Sequence, residues 1–428
     1  MVNNLFGTGL RKMLEGSEVK KNLLTLMGGT AIAQCIPILC APLLTRLFTP
    51  DEFGIYANFM AVAAFLIVFI SGKYELAIIL PKQNNEAINI LSLSCLLALF
   101  FSIVLFFLFL LFAKPVSTLL RVDNLHNVMW LIPISAFFAT IYSIFNEWCI
   151  RKKKFVTLSK NKISNTSGIA GSSLFFGLTK TTSGLIYGQL VGQFLSSSLA
   201  FYRVFKEDVH LLKHVSIRKM KYFSIKYLNF AKFYIPGQFI NTLTGQLPIL
   251  MLTYKFGIYE VGLFSLTERV LGVPLTFLGN SFKDVFKQRA AEEYRTTGNC
   301  LDIYKKTMYA LLGLSIIPFV LLFIGAPFLF TWVFGSEWYE AGVYARILCL
   351  MYLINFLCLP TSWMFVIAEK QKLELIWQFI FSVLTVGPLI AGIMTGSVKE
   401  TLIYFCIGRS IAYLIHIFLT YRIAKGSN

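Results

Sequence analysis

Apolar residues along the 428-residue chain fall in unbroken runs near 20 residues long, separated by short polar or basic intervals. At 1.5 Å per residue, a helix of that length crosses a roughly 30 Å hydrocarbon core. A membrane barrel would instead show segments of about 10 residues alternating in hydropathy. The runs predict twelve helices, over about 22–47, 53–80, 87–113, 125–146, 162–179, 183–204, 234–254, 259–284, 303–330, 340–368, 373–395 and 400–422. The expected fold is an all-α polytopic membrane protein of about twelve transmembrane helices. Most connections are short, so neighbouring spans run antiparallel; the longer ones, 147–161, 205–233 and 285–302, all fall on one side.

Composition agrees. With 56% hydrophobic and 14% charged residues, the chain could not cover the surface of a soluble domain with polar groups. The first 22 residues are polar and basic (Arg11, Lys12, Lys20, Lys21), with no short apolar segment and cleavage site ahead of the first span, so no signal peptide is expected. The net charge of +18 would suit nucleic acid, but its placement argues for topology. About 29 of the 39 Lys and Arg residues lie on the side of the three longer connections, against about seven on the other. The positive-inside rule then puts both termini in the cytoplasm and leaves no role for nucleic acid. Trp148, Trp332 and Trp338 fall at span ends, where amphipathic rings favour the interface.

No enzyme chemistry is visible. The eight cysteines form no Cys-x-x-Cys pair and mostly sit within apolar runs, as small packing residues. His210 and His214 are four apart without a third ligand, so no metal is expected. There is no nucleophile–base pair, phosphate loop or ATP-binding motif, hence no cofactor and no built-in ATPase.

The halves echo each other. Gln34, Pro37, Ile38 and Leu39 match Gln246, Pro248, Ile249 and Leu250, and Glu52-Phe53-Gly54-Ile55-Tyr56 matches Glu260-Val261-Gly262-Leu263-Phe264, at an offset of about 208 residues. Six spans separate the copies, so both run the same way through the bilayer, the parallel repeat of a two-lobed transporter. The expected division is an N-terminal cytoplasmic segment (1–21), a first six-helix lobe (22–204), a linker (205–233), a second six-helix lobe (234–422) and a short cytoplasmic tail (423–428). The linker alternates Met220, Tyr222, Phe223, Ile225, Tyr227 and Leu228 with lysines, as an amphipathic helix lying on membrane lipid would.

Leu44-Thr45-Arg46-Leu47-Phe48-Thr49-Pro50-Asp51-Glu52-Phe53-Gly54-Ile55-Tyr56, followed by Lys73-Tyr74-Glu75-Leu76-Ala77-Ile78-Ile79-Leu80-Pro81, resembles the start of the polysaccharide-biosynthesis exporters. These are the Wzx-type O-antigen and capsule repeat-unit flippases of the multidrug/oligosaccharidyl-lipid/polysaccharide (MOP) superfamily. The resemblance is specific over 22–81 and extends more weakly, through the MATE-like two-lobe layout, over the whole chain. It implies residence in the bacterial inner membrane and flipping of undecaprenyl-pyrophosphate-linked oligosaccharides to the periplasmic leaflet by alternating access, with an ion gradient as the energy source. It also suggests polysaccharide-assembly machinery as a partner. A small-molecule or drug exporter of the same superfamily is the alternative; a polysaccharide polymerase or ligase is disfavoured by the short outer loops.

A pyrophosphate-linked sugar needs cations and hydrogen-bonding groups inside the hydrocarbon zone, where ionisable side chains are otherwise costly. Counting 1.5 Å per residue places Glu268 and Arg269 roughly 10–12 Å deep, Arg409 about 12 Å and Arg346 about 9 Å. Arg269, Arg409 and Arg346 are candidate anion-binding groups, with guanidinium forks suited to phosphate; the competing reading is an interhelical ion pair with Glu268 and an arginine snorkelling outward. Lys73 is a candidate to receive the diphosphate, and Glu75 joins Glu268 as a coupling or ion-pair carboxylate. Two apart on one helix, Lys73 and Glu75 would point apart, leaving Glu75 to Arg151, Lys152, Lys153 and Lys154, a cluster read as a headgroup anchor. Gln34 and Gln246 are candidate sugar contacts. Arg46 and Glu52 would pair between loops, and Gly184, Gly188 and Gly192 would permit close packing.

Overall fold

A computed structural model describes residues 18–120 and 126–426. Arg11, Lys12 and Arg121 of the charge count, most of the expected N-terminal segment and the last two residues of the tail lie outside the described residues, as do the side chains of Lys20 and Lys21. The longer helices are α1 (Glu18–Leu47), α2 (Pro50–Phe69), α3 (Asn84–Leu120), α4 (Leu131–Arg151), α5 (Phe155–Leu178) and α6 (Gly184–Asp208) in the first half. A short α7 (Ile217–Lys226) precedes α8 (Ile235–Phe256), α9 (Ile258–Thr297), α10 (Leu301–Phe334) and α11 (Tyr339–Thr361). After the one-turn α12 (Met364–Ile367) come α13 (Gln371–Met394) and α14 (Val398–Ala424). Twelve of these have at least 20 residues and fall on the twelve expected runs; no strand occurs among the described residues.

Seven helical stretches among the described residues are long and apolar enough to cross a membrane by those criteria alone. The five long helices outside this group are α4, α5, α6, α8 and α9. Two of them, α5 and α6, join α4 in a ladder of side-chain hydrogen bonds: Ser135 to Gln193 (2.7 Å), Ser196 to Asn165 (2.8 Å), and Asn161 to Asn146 (3.0 Å). Arg203 on α6 closes it, donating to Asn161 (2.8 Å) and Ser164 (3.1 Å). Polar groups paired this way lose much of the penalty of leaving water, so these helices tolerate a low hydropathy. The pair α5–α6 comes close because Gly188 and Gly192 lie against the backbone at Ser173 and at Gly168–Ile169, where an added Cβ would overlap.

The chain forms two compact units, Met1–Cys40, Val62–Ala113 and Asn127–Phe239 in one, and Ala41–Ala61, Lys114–His126 and Ile240–Asn428 in the other. In the first, Ile70, Ile78, Ile88, Phe145, Trp148, Ala200 and Phe223 form the core. Phe223 buries one face of the amphipathic helix α7, while Lys219, Lys221 and Lys226 stay exposed. In the second, α11 packs against α9, α10 and α14, and α13 packs on α14; residues 41–61 belong to the same unit. Thr49 caps α2 reciprocally with Glu52: Glu52 Oε2 accepts from the Thr49 N–H (3.0 Å), and the Glu52 N–H donates to Thr49 Oγ1 (3.4 Å). With Pro50 at the first helical position this is a capping box, and it takes the carboxylate that sequence reading gave to Arg46.

The repeat has a structural counterpart here. Gly54 lies on the carbonyl of Ile258, and Gly262 lies on the carbonyl of Pro50. Gly54 and Gly262 are 208 residues apart, as are Pro50 and Ile258, so the contact is reciprocal between equivalent positions. Four residues on, Asn58 and Thr253 exchange hydrogen bonds of 2.8 and 3.0 Å in full burial.

Several boundaries differ from expectation. The span expected over 53–80 ends at Phe69; Gly72 (φ 62°) and Lys73 (φ 59°) then turn the chain left-handed into a 3-10 turn, Tyr74–Ile79. The loop expected over 147–161 shrinks to three residues between α4 and α5, with Lys153 left-handed (φ 55°). Helix α9 continues to Thr297, well past 284, because the expected loop is helical too. Trp148 and Trp338 lie near helix ends as expected but face protein: both are at most 1% exposed, their indole N–H groups donating to Asp208 (2.9 Å) and the Thr45 carbonyl (3.1 Å). A buried indole needs such a partner. Trp332 is exposed.

Candidate functional site

In the second unit, α9, α11, α13 and α14 converge on a charged cluster, joined by α2 through Tyr56. Glu268 on α9 shares a hydrogen bond with Tyr352 of α11 and interacts electrostatically with Arg409 of α14. The Arg409 guanidinium lies over two rings, Phe405 at 4.7 Å and Phe381 at 5.6 Å. Stacking of this kind holds the planar cation by its faces and leaves its edge for hydrogen bonding. That edge is incompletely used: Arg409 Nε is buried without a hydrogen-bond partner. Arg269, next to Glu268, lies within electrostatic reach of Tyr56. Glu268, Arg269 and Arg409 all keep partial access. Two guanidinium groups against one carboxylate leave a formal excess of one positive charge, suited to an anion.

The structure thus brings together Glu268, Arg269 and Arg409, and leaves Arg346 apart. Arg346 is exposed on α11 and donates to the Ile324 carbonyl of α10 at 3.1 Å. The sequence reading missed Tyr56, Tyr352, Phe381 and Phe405, and Tyr413 of α14, which lies within electrostatic reach of Arg409 and Glu268. A signal existed for the tyrosines: a phenol inside an apolar run must find an acceptor or a charge. Gln246 is half-buried on α8 of the same unit. Gln34 belongs to the first unit, on α1, with its Oε1 buried and unpartnered.

At one end of the first unit the basic cluster is mostly committed to protein. Arg151 donates to the carbonyls of Ile78 (2.9 Å), Ile79 (3.2 Å) and Pro81 (2.8 Å) and to Asn84 (3.1 Å), fastening the end of the 3-10 turn. Lys152 and Lys154 pair with Asp208 at 3.0 and 3.2 Å, and Lys154 also with Glu207 at 2.9 Å. Burial alone would raise the Asp208 carboxyl; bonds from Trp148, Lys152 and Lys154 outweigh it and hold the group below its ordinary value. For Lys154, the two carboxylates likewise outweigh the lowering effect of burial. Only Lys153 of the four is exposed. Glu75 does not pair with this cluster as expected but with Lys73, at 3.6 Å. Its direction was argued from a helix, and the left-handed backbone at Gly72 and Lys73 removes that premise.

Long apolar helices with ionisable groups among them define a multi-pass membrane protein. The model of the family described as "Polysaccharide biosynthesis protein" matches residues 43–343, and the chain belongs to that family. It is similar to the succinoglycan biosynthesis transport protein ExoT of Rhizobium meliloti, 24% identical over 400 residues, covering 89% of this chain and 76% of the relative. Among solved structures it shares its fold with the lipid II flippase MurJ in an inward closed conformation (TM-score 0.72, 14% identity, 92% and 89% of the two chains). A multidrug-resistance MATE family transporter of the MOP superfamily, inward-facing, aligns at TM-score 0.68, with 14% identity over 91% and 94%. The relatives are transporters and flippases, not enzymes.

Proposed function

We propose that the protein is a flippase of the bacterial inner membrane, moving undecaprenyl-pyrophosphate-linked oligosaccharide repeat units from the cytoplasmic to the periplasmic leaflet by alternating access, driven by an ion gradient. The observation that carries this reading is the Arg269–Glu268–Arg409 cluster. It carries one positive charge more than it can neutralise, and the buried Arg409 Nε–H has no partner. A diphosphate supplies both missing elements, negative charge and acceptor oxygens, and an arginine edge meets phosphate in a bidentate geometry. A drug exporter for organic cations would want the opposite sign here. The family's association with polysaccharide biosynthesis and the lipid II substrate named for a structural neighbour support a lipid-linked saccharide as cargo.

The test is export of the repeat unit in cells deleted for the gene, complemented with wild type, Arg269→Ala or Arg409→Ala. Wild type restores the lipid-linked unit to the periplasmic leaflet, while each variant inserts normally and fails to restore it. Normal export by both variants removes the anion-site argument. Periplasmic repeat units in the deletion strain, with no second flippase present, overturn the function.

A further inference from the structure

Between Asp208 and Glu260 the chain carries no acidic residue. Within that stretch α7 (Ile217–Lys226) holds four cations, Arg218, Lys219, Lys221 and Lys226, all of them exposed. Among the described residues none of the four pairs with a carboxylate. Lys226 instead lies over the rings of Tyr222, Phe223 and Tyr227 at 5.7, 5.8 and 5.5 Å.

The helix is fixed in rotation. Met220 and Phe223 are 8% and 4% exposed, and Phe223 belongs to the core of the first unit. Ahead of the first turn, the Ser216 N–H donates to Asn89 Oδ1 (2.8 Å), and Asn89 Nδ2 donates to the His214 carbonyl (3.2 Å). Near the last turn, the Tyr74 hydroxyl donates to the Ser224 carbonyl (2.9 Å). With that face held inward, the outward residues sort by azimuth at about 100° per residue. Ile217, Lys221 and Ile225 form one stripe, with Ile217 80% and Ile225 66% exposed. Lys219, Tyr222 and Lys226 form a second, roughly 130° further round, and Arg218 lies between the two. Asn89, which seats the helix, is in the second turn of α3, a helix long and apolar enough to span a membrane. The seat therefore sets α7 at the level where hydrocarbon gives way to headgroups.

We propose that α7 is a preformed docking surface for anionic phospholipid. Ile217 and Ile225 enter the acyl boundary, and Arg218, Lys219, Lys221 and Lys226 take the headgroup phosphates. Water penalises the exposed isoleucines, and the four cations repel one another; an anionic lipid surface relieves both at once. The three sectors of the helix, inward apolar, outward apolar and basic, match the three media that meet there: protein core, hydrocarbon and headgroup layer. Because Met220, Phe223 and the three hydrogen bonds already hold the helix, binding spends nothing on ordering it. The surface does not depend on the cargo, and a protein moving another substrate would keep it.

The test uses purified full-length protein and two readouts. In native mass spectrometry with stepwise lipid addition, phosphatidylglycerol should bind more tightly than phosphatidylcholine. Each Lys or Arg near an anionic surface is worth about fivefold in affinity, so the combined variant Arg218→Gln, Lys219→Gln, Lys221→Gln and Lys226→Gln should erase the preference. A control of equal charge change at exposed positions elsewhere, Arg289→Gln, Arg295→Gln, Lys305→Gln and Lys370→Gln, should keep it. Equal loss in both variants shows an effect of net charge and overturns the site, as does wild type without a preference. In nanodiscs of wild-type protein, phospholipid carrying a diazirine on its acyl chain should label α7 at Ile217 or Ile225 by peptide mass mapping. Spanning helices labelled while α7 stays clean overturn the lipid surface in favour of an acidic protein partner.

Discussion

Gly262→Ala tests whether the repeat-related crossing is a tight backbone contact. A methyl group at 262 would overlap the Pro50 carbonyl and crowd the Gly54 N–H. Backbone cannot step aside as a flexible side chain can, so the helices must separate. Overpacking of this kind costs ~1–3 kcal/mol. Alanine returns ~0.5–1 kcal/mol of helix propensity over glycine, leaving a net loss of about 0–2.5 kcal/mol centred on ~1.3, or close to tenfold in the population of the closed crossing at 1.4 kcal/mol per decade. The adjacent Asn58–Thr253 pair reports the separation. With Cys at both positions, close enough here to exchange hydrogen bonds at 2.8 and 3.0 Å, disulfide formation should be efficient in the parent and slowed about tenfold by Gly262→Ala. The same substitution should lower the thermal midpoint of the purified protein. Unchanged crosslinking and unchanged midpoint would show that the backbones are further apart than described. Gly54→Ala, the equivalent change, should behave alike.

Asp208 gives a pH signature. Its carboxyl is held below its ordinary value of 3.8, so the stability it contributes is fully present above that value and is lost as pH falls through the lower, folded-state value. The thermal midpoint of wild type should therefore drop on acidification below about pH 4, and Asp208→Asn, already destabilised at neutral pH, should show a shallower drop there; parallel curves would discount the network. At the charged cluster, Arg409→Lys keeps the charge but loses the planar stack on Phe405 and Phe381, so it should export more than Arg409→Ala and far less than wild type. Arg346→Ala, spent on one carbonyl away from the cluster, should export normally by the same leaflet assay.

Helix number was legible because hydrocarbon imposes it: a run of about 20 apolar residues has few alternatives to a spanning helix. Helix ends were less so. Nothing in apolar periodicity marks Gly72 and Lys73 as left-handed, yet that turn cut the second span by about ten residues and redirected Glu75 from the Arg151 cluster to Lys73. The repeat was visible as matching letters, but only the fold showed that Gly54 and Gly262 are paired for steric reasons. Likewise Asp208 is one acid in a basic stretch until Trp148 and two lysines are seen to close on it.

The charged cluster shows where depth counting succeeds and where it fails. Rise per residue placed Arg269, Arg346 and Arg409 at similar levels, and level is all that an axial coordinate contains. Whether side chains meet depends on azimuth, at about 100° per residue. On α11 the face that reaches Glu268 carries Tyr352, six residues and most of two turns from Arg346, so depth selected the helix and missed the residue. On α9 the adjacent pair Glu268 and Arg269 could not both address one partner, and they divide between Arg409 and Tyr56. That division makes the excess positive charge useful: with the one carboxylate turned to Arg409 and Tyr352, Arg269 is left facing a phenol that cannot neutralise it. For the anion proposed above, no Arg269 ion pair among the described residues would then have to be broken, and binding energy gained there would not be spent on displacing a carboxylate.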